Sequence, residues 1–222
     1  MFQVTLVIVA IAFAILTFLV KTTPSFPIDL QITRAIQSIN FPLFAPLMSA
    51  LSWPGFSPQS MIITGLIVLL IYGLGLHWEA VTALVAAVFE TGINLLLKDL
   101  IQRPRPTSSV VNVFAPLNSF SFPSGHVMFY ICFFGFIWFI AFSLLKPSIK
   151  RSALLIFLGG LIVLVGMSRI FLGQHWASDI LGAYLLGSLI LVAIIQFYRW
   201  GKTRFFVNQP VAMAESKPPD KK

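Results

Sequence analysis

Three short segments carry side chains able to act on a phosphoryl group. They are Lys98-Asp-Leu-Ile-Gln-Arg-Pro-Arg105-Pro106, then Pro123-Ser124-Gly125-His126, and finally Ser168-Arg169 followed by His175 and Asp179. Lys98, Arg105 and Arg169 offer three cations, and the planar fork of arginine binds phosphate oxygens in pairs. Ser124 adds a hydroxyl. Gly125 lets the backbone approach closely at a helix N-terminus, itself an anion site. His175 and Asp179 are four residues apart, so on a helix they share a face, where the carboxylate can hold one tautomer of the imidazole. His126 supplies a second imidazole.

Each segment alone has a plainer reading. Lys and Arg at a helix end serve as interfacial anchors. Pro-Ser-Gly before an apolar run is a helix start with Ser as cap. Arg169 and His175 can be loop residues facing water. The conjunction argues otherwise: His126 and His175 are two of only three histidines, and Asp179 is one of seven acidic residues. Their gathering beside three cations requires that the chain place all three segments on one face.

The 222 residues are 58% hydrophobic and 10% charged, with a mean hydropathy of +0.92. A soluble domain of this size cannot bury so much apolar surface, because most of its residues must touch water. The composition excludes a soluble globular protein, a disordered chain and a disulfide scaffold. The single Cys132 lies in an apolar run and reads as a buried hydrophobe. A spanning helix needs about 20 apolar residues. Phe2–Val20, Ser60–Leu76, Ala80–Leu97, Val127–Leu145, Ala153–Leu172 and Ile180–Trp200 approach that length. The fold class expected is an all-α bundle of six transmembrane helices. The first run lacks a basic n-region and a clear cleavage site, so it reads as a retained helix.

Residues 1–200 form this membrane domain, and 201–222 are expected to be a basic, disordered tail. Six spans put both termini on one side. Nine Lys and Arg, among them Lys146, Lys150, Arg151, Arg199 and Lys202, then share the face of the termini. Lys21, Arg34, Lys98, Arg103, Arg105 and Arg169 lie on the other. The bias favours cytoplasmic termini at the cell membrane, with the three chemical segments in odd loops at the outer face. The net charge of +8 is read as this topology signal plus the tail, with no nucleic acid partner implied.

Between Lys21 and Gln59 six prolines break any long helix. Within that loop Ile28, Ile32, Ile36 and Ile39 recur at helical spacing, with Asp29, Gln31, Arg34 and Gln37 off the stripe. The pattern predicts a short amphipathic helix in the membrane interface. It reads either as a structural cap or as a lipid-guiding element. Phe41 to Trp53 is apolar but too short and too proline-broken to span. Glu90 and Asn94 lead at four-residue spacing to Lys98, and they read as a helix–helix hydrogen bond or as pocket lining. His77 reads as interfacial and Arg103 as a head-group or interface contact. Gly159, Gly160, Gly166 and the pair Ala183/Gly187 are expected to allow close helix contact.

The three segments match the pattern Lys-x6-Arg-Pro, Pro-Ser-Gly-His, Ser-Arg-x5-His-x3-Asp. This resembles the type 2 phosphatidic acid phosphatase superfamily of lipid phosphate phosphatases. Within it the compact six-span form resembles the bacterial phosphatidylglycerophosphate phosphatase B group. The resemblance implies that His175 is the nucleophile and forms a phosphohistidine, that Asp179 orients it, and that His126 protonates the leaving alkoxide and then activates water. It implies that Lys98, Arg105, Ser124, Gly125 and Arg169 bind phosphate. Such histidine roles predict a bell-shaped pH–rate profile. No cofactor or metal is expected, because only Asp99 and Asp179 lie near the segments and a two-metal site needs a carboxylate cage. The substrate implied is phosphatidylglycerophosphate, or alternatively the polyprenyl lipid undecaprenyl pyrophosphate, drawn from the bilayer; protein partners are not indicated. A different-class alternative is a lipid or ion transporter using Glu90, Asp99 and the cations. A haloperoxidase is disfavoured by the membrane composition.

Overall fold

A backbone in lipid finds no water to bond, so its polar groups must be satisfied within each segment, which favours helices. The computed structural model describes residues 2–206, and among these there is no strand. In chain order the helices are α1 (Phe2–Thr22), α2 (Pro27–Gln37), α3 (Phe44–Ser52), α4 (Gln59–Gly73) and α5 (His77–Ile101). They continue with α6 (Gly125–Phe129), α7 (Gly135–Leu144), α8 (Ile149–Phe171) and α9 (Ala177–Gly201). A π turn, Tyr130–Phe134, joins α6 to α7 in one rod, Gly125–Leu144. A second π turn prolongs α9 through Lys202–Phe206, past the expected start of the tail. The rest of that tail lies outside the described residues.

Among the described residues five helices are long and apolar enough to cross a membrane: α1, α5, the rod, α8 and α9. The expected second span, Ser60–Leu76, is different. At 15 residues α4 is about 22 Å long, short of the roughly 30 Å hydrocarbon core. It is joined to α3 through a 3-10 turn, Trp53–Gly55, and the two limbs bend by 63°. Pro54 and Pro58 sit at the bend, where missing N–H groups prevent a continuous ladder. The count reaches six only with this bent pair taken as one crossing. The apolar stretch before Trp53 is thus its first limb.

The rod is the hub. Two thirds of its spanning window is buried, against 6% for α1, which stands at the edge against α9. Val127, Met128, Tyr130, Cys132, Phe133 and Phe136 are wholly enclosed by α5, α8 and α9. Tyr130 donates its hydroxyl hydrogen to the Leu51 carbonyl at 2.6 Å, tying the rod to the bent pair. Gly187 lets α9 approach the rod: a Cβ there would lie 3.1 Å from Ile131. Gly166 does the same between α8 and α9, whereas Gly160 faces open space. Only part of the expected small-residue contact is therefore used.

The amphipathic helix α2 forms where expected but turns differently. Ile28 and Ile39 remain exposed, while Asp29 and Thr33 are buried. Gln37 donates to the carbonyls of Asn112 (2.7 Å) and Phe171 (2.8 Å), so much of the polar face docks on protein. The C-termini of α5 and α8 and the N-termini of the rod and α9 meet beside it. His77 lies at the far end of α5, against Tyr72 at 4.4 Å. There the buried Glu79 pairs with Lys202 at 2.7 Å and accepts from Tyr198 at 2.8 Å.

Helix spacing at Gly166 gives a direct test. Gly166→Ala puts a methyl 2.7 Å from Ile180 Cγ2, and such overpacking typically costs about 1–3 kcal/mol. The thermal midpoint in detergent is expected to fall by several degrees. Gly160→Ala should leave it unchanged or slightly raised, since alanine favours helix by about 1 kcal/mol. Equal midpoints for the two variants would contradict the packing described.

Candidate active site

The site begins with a helix cap. Trp176 precedes α9, and Asp179, at the third helical position, accepts the Trp176 N–H on Oδ2 at 2.8 Å. That bond turns the carboxylate back over the helix start, where Oδ2 stands 3.4 Å from His175 Nδ1. His175 lies in the turn before α9, so the two residues meet through the cap rather than along a shared helical face. Ser121, which sequence reasoning missed, donates its hydroxyl hydrogen to the same Oδ2 and lies 3.5 Å from His175 Nδ1. The other oxygen, Oδ1, accepts from Arg103 Nη1 at 2.6 Å.

With Nδ1 directed at the carboxylate, His175 presents Nε2 to the cations. Arg105 Nη1 is 3.2 Å from it. A neutral ring protonated on Nδ1 therefore carries its lone pair on the side where an anion would sit. Burial holds the imidazole well below its ordinary range, and the charges of Arg105, Arg169 and Lys98 add to that effect.

The three cations come from three elements. Arg105, in the loop after α5, donates to the carbonyls of Ser119 (2.6 Å), Phe120 (3.1 Å) and Gln174, and to the Ser119 hydroxyl (2.9 Å). Burial lowers it to about 10, with Asp179 opposing, so it stays cationic at neutral pH. Arg169, in the last turn of α8, is fully buried. Its Nη1 donates to Ser52 Oγ, and its guanidinium lies 5.0 Å from the Phe56 ring centre. Its Nε and Nη2 have no hydrogen-bond partner among the described residues. Lys98, in the last turn of α5, is close enough to Arg105, Arg169 and Asp179 to feel their charges.

Ser124 and His126 open the rod. Ser124 occupies the N-cap position, yet its hydroxyl makes no cap bond and is buried without a partner among the described residues. The simple capping explanation therefore fails. Its N–H points to the Asp179 carbonyl at 3.4 Å. Asn94 donates to the Pro123 carbonyl at 3.0 Å and stands so near Gly125 that an added Cβ would lie 3.0 Å from its Oδ1. Asn94 is thus a latch between α5 and the Pro-Ser-Gly-His turn. Glu90 accepts from Thr91 at 2.8 Å and bonds no other helix, so it lines the groove described next. The His126 ring is held edge-on to Phe56 at 4.5 Å and lies against Gly55, where a Cβ has no room. Its Nε2 is buried and has no hydrogen-bond partner among the described residues.

A groove of ≈ 510 Å³ runs between α4 and α5 and ends on Gly125 and His126. Its rim includes Met61, Leu84, Val88 and Leu95, all on the outer apolar surface. The structure thus brings all eight sequence-derived positions to one end of the bundle. Buried, unpaired donors at Ser124 and Arg169 are costly in a protein interior and suit an oxyanion with several acceptor oxygens. Arg103, set aside as an interface contact, proves to be a fully buried partner of Asp179. Ser52, Phe56 and Gly55 likewise join the site from the proline-rich stretch, and no spacing pattern marked them.

Fold and site define a multi-pass helical membrane protein with a histidine-centred oxyanion site. Residues 78–202 match the PAP2 superfamily model, and the chain belongs to that superfamily as a membrane phosphatase. Over 192 residues it is 31% identical to phosphatidylglycerophosphatase B of Bacillus subtilis, covering 83% of this chain and 90% of the relative. The crystal structure of a transmembrane PAP2-type phosphatidylglycerolphosphate phosphatase from Bacillus subtilis superposes with a TM-score of 0.78 at 28% identity. That match covers 90% of this chain and 98% of the other. LpxE of Aquifex aeolicus shares the fold, with a TM-score of 0.62 at 20% identity, covering 78% and 98%. The transporter alternative is set aside on this membership.

The electrostatics of His175 can be measured by histidine NMR in detergent, with His175→Gln for assignment. Burial and three cations disfavour the imidazolium, so the neutral ring should persist as pH falls through 6.5. A midpoint below 6.5 is expected for the phosphate-free enzyme, and a midpoint at or above 6.5 would contradict the environment described.

Proposed function

We propose that this protein removes the terminal phosphate of phosphatidylglycerophosphate, giving phosphatidylglycerol and inorganic phosphate through a phosphohistidine on His175. One observation carries the reading: a groove open to the lipid-facing surface ends on His126, whose Nε2 is buried without a partner. A leaving group whose tails lie in that groove meets its proton donor there. The names of the Bacillus relatives supply the head group.

In this mechanism the phosphoryl oxygens take the free N–H groups of Arg169, the Ser124 hydroxyl, Arg105 and Lys98. Arg105 covers Nε2 of His175, so the phosphoryl group must insert between them. Nε2 attacks phosphorus, the P–O ester bond breaks, and the departing alkoxide takes a proton from His126. The bound dianion favours the protonated form of His126, because an opposite charge stabilises imidazolium. His126, now neutral, takes a proton from water as its oxygen attacks phosphorus. The P–N bond breaks and phosphate leaves. Asp179 balances the charge that His175 gains. Gly125 keeps the backbone close to the anion.

The charge bias between loops supports a site at the outer face of the cell membrane, with cytoplasmic termini. The groove walls are apolar and fit a prenyl chain as well as acyl chains, so undecaprenyl pyrophosphate is the second reading.

Phosphate release by the detergent-purified enzyme tests this. Activity on phosphatidylglycerophosphate should survive EDTA and fall by about 1,000-fold or more in His175→Ala. Burying even four methylenes contributes about 3 kcal/mol, so tail-free glycerol phosphate should lose at least about 100-fold in kcat/KM. A higher kcat/KM for undecaprenyl pyrophosphate would move the assignment to the second reading. Full inhibition by EDTA, or equal turnover of the tail-free ester, would contradict the proposal.

A further inference from the structure

We propose that Arg103 and Asp29 are positioning residues that fix Asp179 and keep its negative charge available to His175. The inference rests on reading His175 as the nucleophile.

Arg103 is 1% exposed, and each of its three guanidinium nitrogens has a named partner. Nη1 donates to Asp179 Oδ1 (2.6 Å) and Ser178 Oγ (2.7 Å), Nη2 to Asp29 Oδ2 (2.9 Å), and Nε to the Pro24 carbonyl (3.0 Å). Asp29 also accepts the Ser178 N–H on Oδ1 (2.8 Å) and the Ser178 hydroxyl hydrogen on Oδ2 (2.7 Å). Both carboxylates stand at the third position of a helix, Asp29 on α2 and Asp179 on α9, and each accepts the N-cap N–H of its own helix. Two helix starts are therefore clamped face to face on one guanidinium, 74 and 76 residues away in the chain.

Charge explains why there are two carboxylates. A one-to-one pair between Arg103 and Asp179 would cancel the acid just where His175 needs it. Sharing Arg103 with Asp29 leaves two negative charges against one positive, so the cluster stays anionic by one. The groups bearing on His175 are Arg105 from the loop after α5, Arg169 from α8, Lys98 from α5, His126 from the rod and Asp179 from α9. Among them only Asp179 is acidic. Its charge is the one counterweight to three cations when His175 becomes a phosphorylated imidazole. The N-terminus of the interfacial helix α2 thereby belongs to the active site and is not merely a cover.

Two variants separate charge from geometry. Asp29→Asn keeps size and an acceptor for the Ser178 N–H but lets Arg103 neutralise Asp179. It should lower kcat about 10- to 100-fold with KM within about two-fold, and move the acid limb of kcat to lower pH, because His175 becomes less basic. Arg103→Lys keeps the charge and loses the fork, so kcat should fall by a similar factor, again with KM nearly unchanged. If Asp29→Asn does not fold, the kcat-against-KM split in Arg103→Lys decides. An acid limb that stays in place or moves up in Asp29→Asn would overturn the inference. So would kcat within about two-fold of wild type in Arg103→Lys, whatever the change in thermal midpoint. An active His175→Ala enzyme would overturn both this inference and the reading beneath it. An inactive one beside unaltered Asp29→Asn and Arg103→Lys would overturn this inference alone.

Discussion

Like charges repel, and they do so most strongly where water is excluded. Arg105, Arg169 and Lys98 are nevertheless held together at one end of an apolar bundle, with Arg169 wholly buried. The surrounding structure offsets this cost without cancelling it. Arg105 is fed by carbonyls of the 119–120 and 174 backbone, and Arg169 by Ser52 and the face of Phe56. What is left over among the described residues, the Nε and Nη2 nitrogens of Arg169 and the Ser124 hydroxyl, suits an anion. In the proposed mechanism fold and function are linked through that remainder, because a phosphate dianion would complete what the protein leaves unpaired.

The helix ends do the positioning. Asp179 reaches His175 because it caps α9, Ser124 is fixed because it starts the rod, and Asn94 holds that start against α5. The break between α3 and α4 has a matching purpose. By bending at the proline-rich turn it brings Gly55 and Phe56 onto His126 and Ser52 onto Arg169. It also leaves the groove beside α5 through which the lipid-facing surface connects with the site. A straight span would not supply both.

Much of this was legible in the sequence, for physical reasons. Lipid forces long apolar runs, so five of the six expected spans match long helices to within a few residues, whereas Ser60–Leu76 is one limb of the bent pair. Alternation of spans across the bilayer puts Lys98, His126 and His175 on one face. What escaped were contacts made by folding distant, unpatterned segments together. Asp29 looked like the solvated side of an amphipathic helix, yet it bonds Ser178 across 149 residues. Arg103 sits one proline away from Arg105 and resembled an interfacial anchor. Ser121 is an ordinary serine until the loop carrying it closes over Asp179. The bend at Pro54 and Pro58 was signalled by composition, but its 63° angle and its contacts depend on the rod it leans against.

The central claim is that Nε2 of His175 receives the phosphoryl group. Wild-type enzyme can be mixed with lipid substrate carrying labelled terminal phosphate and quenched in alkali within the first turnover. An acid-labile, base-stable label is expected on the peptide containing His175, absent from His175→Ala. A label on any other residue, or none while phosphate is still released, would contradict it.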